Sequence, residues 1–389
     1  MDRMPLEIQT LYAEFLERLF ALEAQRSIGH VAGSFITKVI RGDTYYYFQY
    51  SSPGGIKKQL YIGRKDRILD QVVERYRKER GAFSEDAVGI QRLSALLRAG
   101  GALVADSASA RVLRALSDGG FFRLGGVLIG THAFVVLGNL LGVRWAGGSL
   151  RTQDIGRQVP RKARLEGGVK GHNNKKPLIS GKPRPVGGEL HIAAEATISI
   201  ALADLRTDVP GVLEGLEMGF LPVPQLDPRK PSTSFVVRGK GLRVDLLTPL
   251  LGRRSRGPVR IPRLNAAAQP IPFLDFLITR PSRGAIVDRS GILLNVPEPA
   301  RFAFHKLIIS GERDMVMHTK RMKDLRQAAQ IFEILLDERP GDVQIAWDEI
   351  REKGKGWVRR AREALKVLAK SDHRTAKQVV MALHTLTSD

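Results

Sequence analysis

From Val127 the chain reads as a short apolar strand that stops at Gly130-Thr131, then a helix opened by His132-Ala133-Phe134, then a second strand-like stretch running into Thr152-Gln153-Asp154. No other segment constrains the fold as much. A strand, a glycine turn and a helix in succession aim backbone N–H groups and the positive end of the helix at one point, which suits phosphate. Asp154, at the end of the neighbouring strand, suits a divalent cation bridging that phosphate. Side chains two apart on a strand share a face, so such a cation would be held by Asp-x-Asp, but this chain continues Asp154-Ile155-Gly156. The second acid is missing.

A run unlike the rest of the chain follows, from Arg157 to Leu190. It is rich in Gly, Pro, Lys and Arg and lacks apolar periodicity, with nine basic residues against Glu166 and Glu189, a local charge of +7. Such a composition cannot bury enough apolar surface to offset the entropy of ordering, which predicts a disordered basic insertion over 157–190. Joining Asp154-Ile155 directly to Ile192 restores a continuous segment around one lost position. The interruption therefore falls inside the expected metal motif.

Composition bounds the partners. With 43% hydrophobic and 26% charged residues, the 389-residue chain has the make-up of a globular protein. Its net charge of +22 leaves +15 outside the basic run and favours a polyanion, RNA or DNA, although a solvated basic surface gives the same sum. The absence of cysteine excludes disulfides and thiol chemistry and agrees with a cytoplasmic location. The first residues lack a basic region followed by an apolar one, so no secretion signal is expected. Leu124–Val143 carries no formal charge, but its glycines, Thr131, His132 and Asn139 fit a buried strand, turn and helix better than a membrane span.

Apolar spacing predicts an amphipathic helix over Pro5–Ala24. Three antiparallel strands are expected at 34–40, 44–50 and 57–63, joined by tight turns at Arg41-Gly42-Asp43 and Pro53-Gly54-Gly55. Tyrosines and lysines alternating there could stack bases and neutralise phosphates, or the rings could pack on the first helix. Helical patterns follow from Lys65 to Leu116, with starts expected at Ser84 and Asp106 and a stop at Gly100-Gly101. A helix is expected near 209–218, and then a hairpin of 232–239 with 242–247. Within that hairpin Asp245 alternates with Val244 and Leu246, which turns it to a cleft as a third candidate carboxylate. Gly252–Gly257 is a short basic loop that could touch phosphate or simply be solvated. Phe273–Ile278 and Ile286–Val296 read as strands, Pro297-Glu298-Pro299 as a helix entry, and 318–388 as helical. Lys320, Lys323, Asp324 and Gln327 share a face opposite the apolar set of Ala328, Ala329, Phe332, Leu335 and Leu336.

The chain resembles bacterial nucleotidyltransferase-fold proteins distantly similar to the toxin-type enzymes of abortive-infection systems. The residues that carry the likeness are Gly29 to Lys38, Tyr45 to Gly63, Gly130-Thr131-His132-Ala133-Phe134, Leu141 to Arg144, Thr152-Gln153-Asp154, Ser232 to Phe235, Arg243 to Pro249, Pro297 to Lys306 and Lys323-Asp324-Leu325. The resemblance implies an α+β fold, a mixed sheet flanked by helices, divided as an N-terminal helix and sheet (1–64), a helical connector (65–122), a nucleotidyltransferase-like core (123–296) and a helical C-terminal region (297–389). It implies Mg²⁺ or Mn²⁺ held by Asp154 and Asp245, with Gly130, Thr131 and Lys306 toward the nucleoside triphosphate. Lys306 would reach the phosphates or support the helix that closes the site. Lys323 and Asp324 read first as an ion-paired helix face.

The implied reaction transfers a nucleoside monophosphate to a hydroxyl of RNA or protein. Gly156 departs from the family's second acid, and His191 takes that place across the insertion. Histidine is a poor ligand for a hard cation, and Glu195, the nearby carboxylate, could compensate or lie on a helix surface. Two outcomes stay open, an enzyme impaired by the insertion and one active by compensation. The alternatives from other classes are a non-catalytic nucleic-acid-binding protein and a partner protein of a toxin or defence operon.

Overall fold

A computed structural model describes residues 1–24, 33–51, 57–146, 189–193, 207–225, 227–238, 242–250, 257–312 and 318–385. Asp154, Glu195, the 251–256 part of the basic loop and the basic run up to residue 188 lie outside the described residues.

The chain opens with β1 (Asp2–Arg3) and α1 (Leu6–Ala24). The helix buries Tyr12, Phe15 and Leu19 along one stripe, as the apolar spacing predicts. Next, β2 (Ser34–Ile40), β3 (Asp43–Ser51) and β4 (Lys57–Arg64) form an antiparallel sheet in that order. The β2–β3 turn needs positive φ at both central residues, and Arg41 (52°) and Gly42 (89°) supply it. Helix α2 (Arg67–Ala99) is capped by Asp66, whose carboxylate accepts from the Leu69 amide at 2.8 Å. It runs unbroken through Ser84, so the start expected there is corrected. Once nucleated at Asp66, the helix crosses one serine cheaply, because Ile90, Leu93 and Leu97 bury its second half. Asp106 does cap the next helix, α3 (Ser107–Asp118), accepting from Ala108 and Ser109.

The core continues with β5 (Val127–Ile129), α4 (Gly130–Leu140), β6 (Val143–Arg144), β7 (Glu189–Ala193), α5 (Val209–Glu214), β8 (Phe220–Pro222), β9 (Ser234–Val237), β10 (Arg243–Pro249), β11 (Val259–Ile261) and β12 (Ala266–Ile271). Its mixed sheet has the order β11-β12-β10-β7-β5, with β9 also on β10 and β8 on β9. Strand β10 is parallel to β7 and β12 and antiparallel to β9. Glu189 and Leu190 thus belong to a sheet strand, which corrects the insertion boundary at 190. The segment 124–143 forms a buried strand, turn and helix, and no described helix is long and apolar enough to cross a membrane. Asn139 fixes α4 from inside. Its side chain donates to the Leu103 carbonyl and accepts from the Leu103 amide, both at 2.8 Å, so both polar ends of a buried amide are paired.

Two strand expectations are corrected. Residues 274–278 form a helix, α6 (Leu274–Ile278), because a short apolar run fits a buried helix as well as a strand, and Phe273 at φ 65° turns the chain out of β12. Residues 286–296 are not one strand. They divide between β13 (Ser282–Ile286) and β14 (Ile292–Val296), paired antiparallel, with Gly291 at φ 64° in the turn. The C-terminal part is helical as expected: α7 (Pro299–Gly311), α8 (His318–Glu338), α9 (Pro340–Glu352), α10 (Lys355–Ser371) and α11 (His373–Thr385). Glu298 caps α7 by accepting from Ala300 and Arg301 at 3.0 and 2.9 Å. Asp324 and Gln327 on α8 are 3% and 0% exposed, so they are buried with the apolar set rather than opposite it, which corrects the expected face. Asp324 goes inward because Lys306 of α7 meets it.

Candidate active site

The glycine turn is built from both sides. Ile129 ends β5 in the core, and Gly130 takes φ 75°, a left-handed conformation that suits glycine, to start α4. Ile129, as the N-cap, offers no side-chain hydrogen bond to the first turn of this 11-residue helix. Those N–H groups and the helix dipole are what an anion would find there. Thr131, in the first turn, accepts a hydrogen bond at its Oγ1 from Lys323 Nζ at 2.9 Å. His132 is buried with its Nε2 3.7 Å from Asp106 Oδ2. The His132 contact, with the amides that Asp106 caps, holds the Asp106 carboxyl well below the usual carboxylate range against the opposing effect of burial.

On β10, Val244 and Leu246 are buried while Arg243, Asp245 and Leu247 are partly open, the alternation read from the sequence. Asp245, 13% exposed at its side chain, lines a cleft with Arg243, Ser234, Gln225 and Gln269. Its Oδ1 accepts from Ser234 Oγ at 2.5 Å and from Arg243 Nε at 2.6 Å, and Arg243 Nη2 also reaches Ser234 Oγ at 3.1 Å. A guanidinium and a hydroxyl therefore fix the carboxylate in position.

Strand register joins the two halves. Asp245 pairs with His191 on β7, and His191 pairs with Ile129 on β5. Two inter-strand steps span roughly 10 Å, so Asp245 and the Gly130 turn stand at opposite ends of one short row. Position 189 pairs with Arg243, so positions 189 and 191 share a face with 243 and 245.

Lys306 is buried against α8. Its Nζ donates to Asp324 Oδ1 at 2.7 Å and lies 5.3 Å over the Phe302 ring. The neighbouring residue Lys323 is the one that reaches Thr131. Among the sequence candidates, Gly130, Thr131 and Asp245 are brought to one row, Lys306 connects to it through α8, and Asp154 lies outside the described residues. Arg243 and Ser234 were missed, although Arg243 stands two residues before Asp245 on one strand, a spacing that signals a shared face.

Among the described residues no three His, Cys, Asp or Glu side chains gather around one point. The family model for nucleotidyltransferases matches residues 107–178 and 188–352, and its second stretch resumes one residue before β7. No curated protein and no solved structure matches the chain. With more than half of its length under that match, from α3 to the end of α9, the chain belongs to the nucleotidyltransferase family.

Proposed function

We propose that the chain transfers a nucleoside monophosphate from a nucleoside triphosphate to a hydroxyl of RNA or protein, with Mg²⁺ or Mn²⁺. The observation that carries this reading is the row formed by Asp245, His191 and Ile129 across three adjacent strands, ending at the Gly130 turn. In the transfer, the bond from the α-phosphorus to its bridging oxygen breaks and a bond from that phosphorus to the acceptor oxygen forms. Pyrophosphate leaves, and the acceptor's proton passes to solvent. The amides of the first turn of α4 and the Lys323 ammonium favour the triphosphate's negative charge.

The donor chemistry fits a hard cation. Asp245 supplies carboxylate oxygen, and the positive charge already lying on it is the Arg243 guanidinium. The second carboxylate of this reading is Asp154, which the resemblance places beside Asp245. When bound, the cation would lower the pKa of the attacking hydroxyl and steady the triphosphate. The chain's own part is to hold Asp245 rigid through Ser234 and Arg243, and to align β7 beside it.

Transfer of label from α-labelled but not γ-labelled triphosphates to total RNA or protein tests this reading. Equal retention of both labels excludes it. The other reading, a nucleic-acid-binding protein without transfer, is favoured by Gly156 and His191 at the place of the second acid; it gains if no label moves while RNA still binds.

A further inference from the structure

The three-stranded sheet β2-β3-β4 has two unlike faces. The middle of its inner face packs on α2: Phe35 and Phe48 lie 5.1 and 5.6 Å from the Tyr76 ring, and Tyr46 is buried with its hydroxyl donating to Asp70 Oδ1 at 2.6 Å. The opposite face carries a second aromatic set. Tyr47 pairs in register with Tyr61, their rings 5.5 Å apart and tilted edge to face, and Tyr45 lies 6.0 Å from Tyr61. Tyr61 is 55% exposed, and Lys38 Nζ stands 4.6 Å from the Tyr47 ring centre.

Charge bears on what this face would take. By register Lys38 and Lys57 stand on it and Lys58 on the other, and the described residues of 34–65 hold six basic side chains against one acid, Asp43, which Arg64 engages at 2.6 Å. Rings beside cations on an open sheet fit stacked bases with a phosphate chain between them. Polar Ser34, Gln49 and Gln59 continue across the same face in register, beside the rings, where base edges and ribose hydroxyls would lie. A duplex hides its base faces, and an acidic peptide offers charge without rings to stack.

We infer that this outer face is a binding site for single-stranded RNA, centred on Tyr45, Tyr47, Tyr61 and Lys38. The strands lie outside the residues matched by the family model, so the site is an addition to the transfer centre and does not rest on the proposed reaction.

The test is fluorescence anisotropy of a labelled single-stranded RNA 12-mer of mixed sequence with the full chain, without triphosphate. Matched duplex RNA, single-stranded DNA and poly-glutamate serve as comparison ligands. Tyr47→Leu and Tyr61→Leu are each expected to weaken RNA binding by about fivefold or more, the scale of losing one stacked base. Lys38→Gln is expected to lower the slope of log affinity against log salt by about one. Because these side chains are on the open face, far-ultraviolet circular dichroism and the melting temperature serve to confirm folding, and Tyr76→Leu marks what an unfolded sheet looks like. Unchanged RNA affinity in folded Tyr47→Leu and Tyr61→Leu overturns the inference. Equal or tighter binding of duplex RNA, single-stranded DNA or poly-glutamate overturns its assignment to single-stranded RNA.

Discussion

Lys323 Nζ donates a hydrogen bond to Thr131 Oγ1 at 2.9 Å, tying helix α8 to the turn that opens α4. A cation held at a helix N-terminus is placed to meet phosphate rather than to stabilise a dipole, since that end of a helix is already positive. Lys323→Met is therefore expected to raise the KM for the nucleoside triphosphate about tenfold or more, the scale of one charge-assisted hydrogen bond. Lys323→Arg should recover part of it. Steady-state kinetics decide; an unchanged KM with a lowered melting temperature would leave Lys323 a purely structural role.

One residue along the same helix, Asp324 meets Lys306 in the core, with their side chains 4% and 11% exposed. Removing one partner deprives a buried charge of its ion pair. Lys306→Met should cost about 3–5 kcal/mol of stability in urea denaturation, and Lys306→Met with Asp324→Leu should restore much of that. A Lys306→Met protein of wild-type stability that fails to bind triphosphate would instead place Lys306 at the phosphates.

Gly130 holds φ 75° at the start of α4. An alanine there is forced into the left-handed region at a cost of about 1–2 kcal/mol. Gly130→Ala should lower stability by that amount and lower transfer activity further, because the first turn of α4 shifts with it. Equal relative losses in stability and transfer would argue that the turn has no part in the chemistry.

Asp106 carries a carboxyl held below its ordinary value by His132 and by the α3 amides it caps. A carboxyl whose folded value is depressed stabilises the fold fully above its unfolded pKa of ~3.9, and that stability is lost as pH falls through the lower folded value. Asp106→Asn should therefore be less stable than wild type at neutral pH, with the difference shrinking below about pH 4. Denaturation midpoints from pH 7 to pH 3 measure it, and a difference constant across that range contradicts the assignment.

Much of this was legible in the sequence where local chemistry decides. The β2–β3 turn, the Asp106 and Glu298 caps, the Gly130 turn and the inward and outward alternation around Asp245 each depend on a few adjacent residues, and the structure has each of them. Elements decided by distant partners were not. Residues 274–278 are helical because of what buries them, and Asp324 is a core residue because Lys306 comes from another helix. Strand β12 was not foreseen, since its Ala266-Ala267-Ala268-Gln269-Pro270-Ile271 sequence has weak strand propensity and is held by pairing with β10 and β11. At the site, the register that sets β7 beside Asp245 depends on pairing between strands distant in sequence. A composition count across 157–190 assigns the start of β7 to the basic run instead.

The central claim is that Asp245 serves the transfer centre beside the Gly130 turn. The most direct measurement compares label transfer from α-labelled triphosphates, with Mg²⁺ or Mn²⁺, by the wild-type chain and by Asp245→Asn and Asp154→Asn. The account predicts transfer by wild type and a loss of about a hundredfold or more in both variants. Transfer by folded Asp245→Asn at the wild-type rate would contradict it.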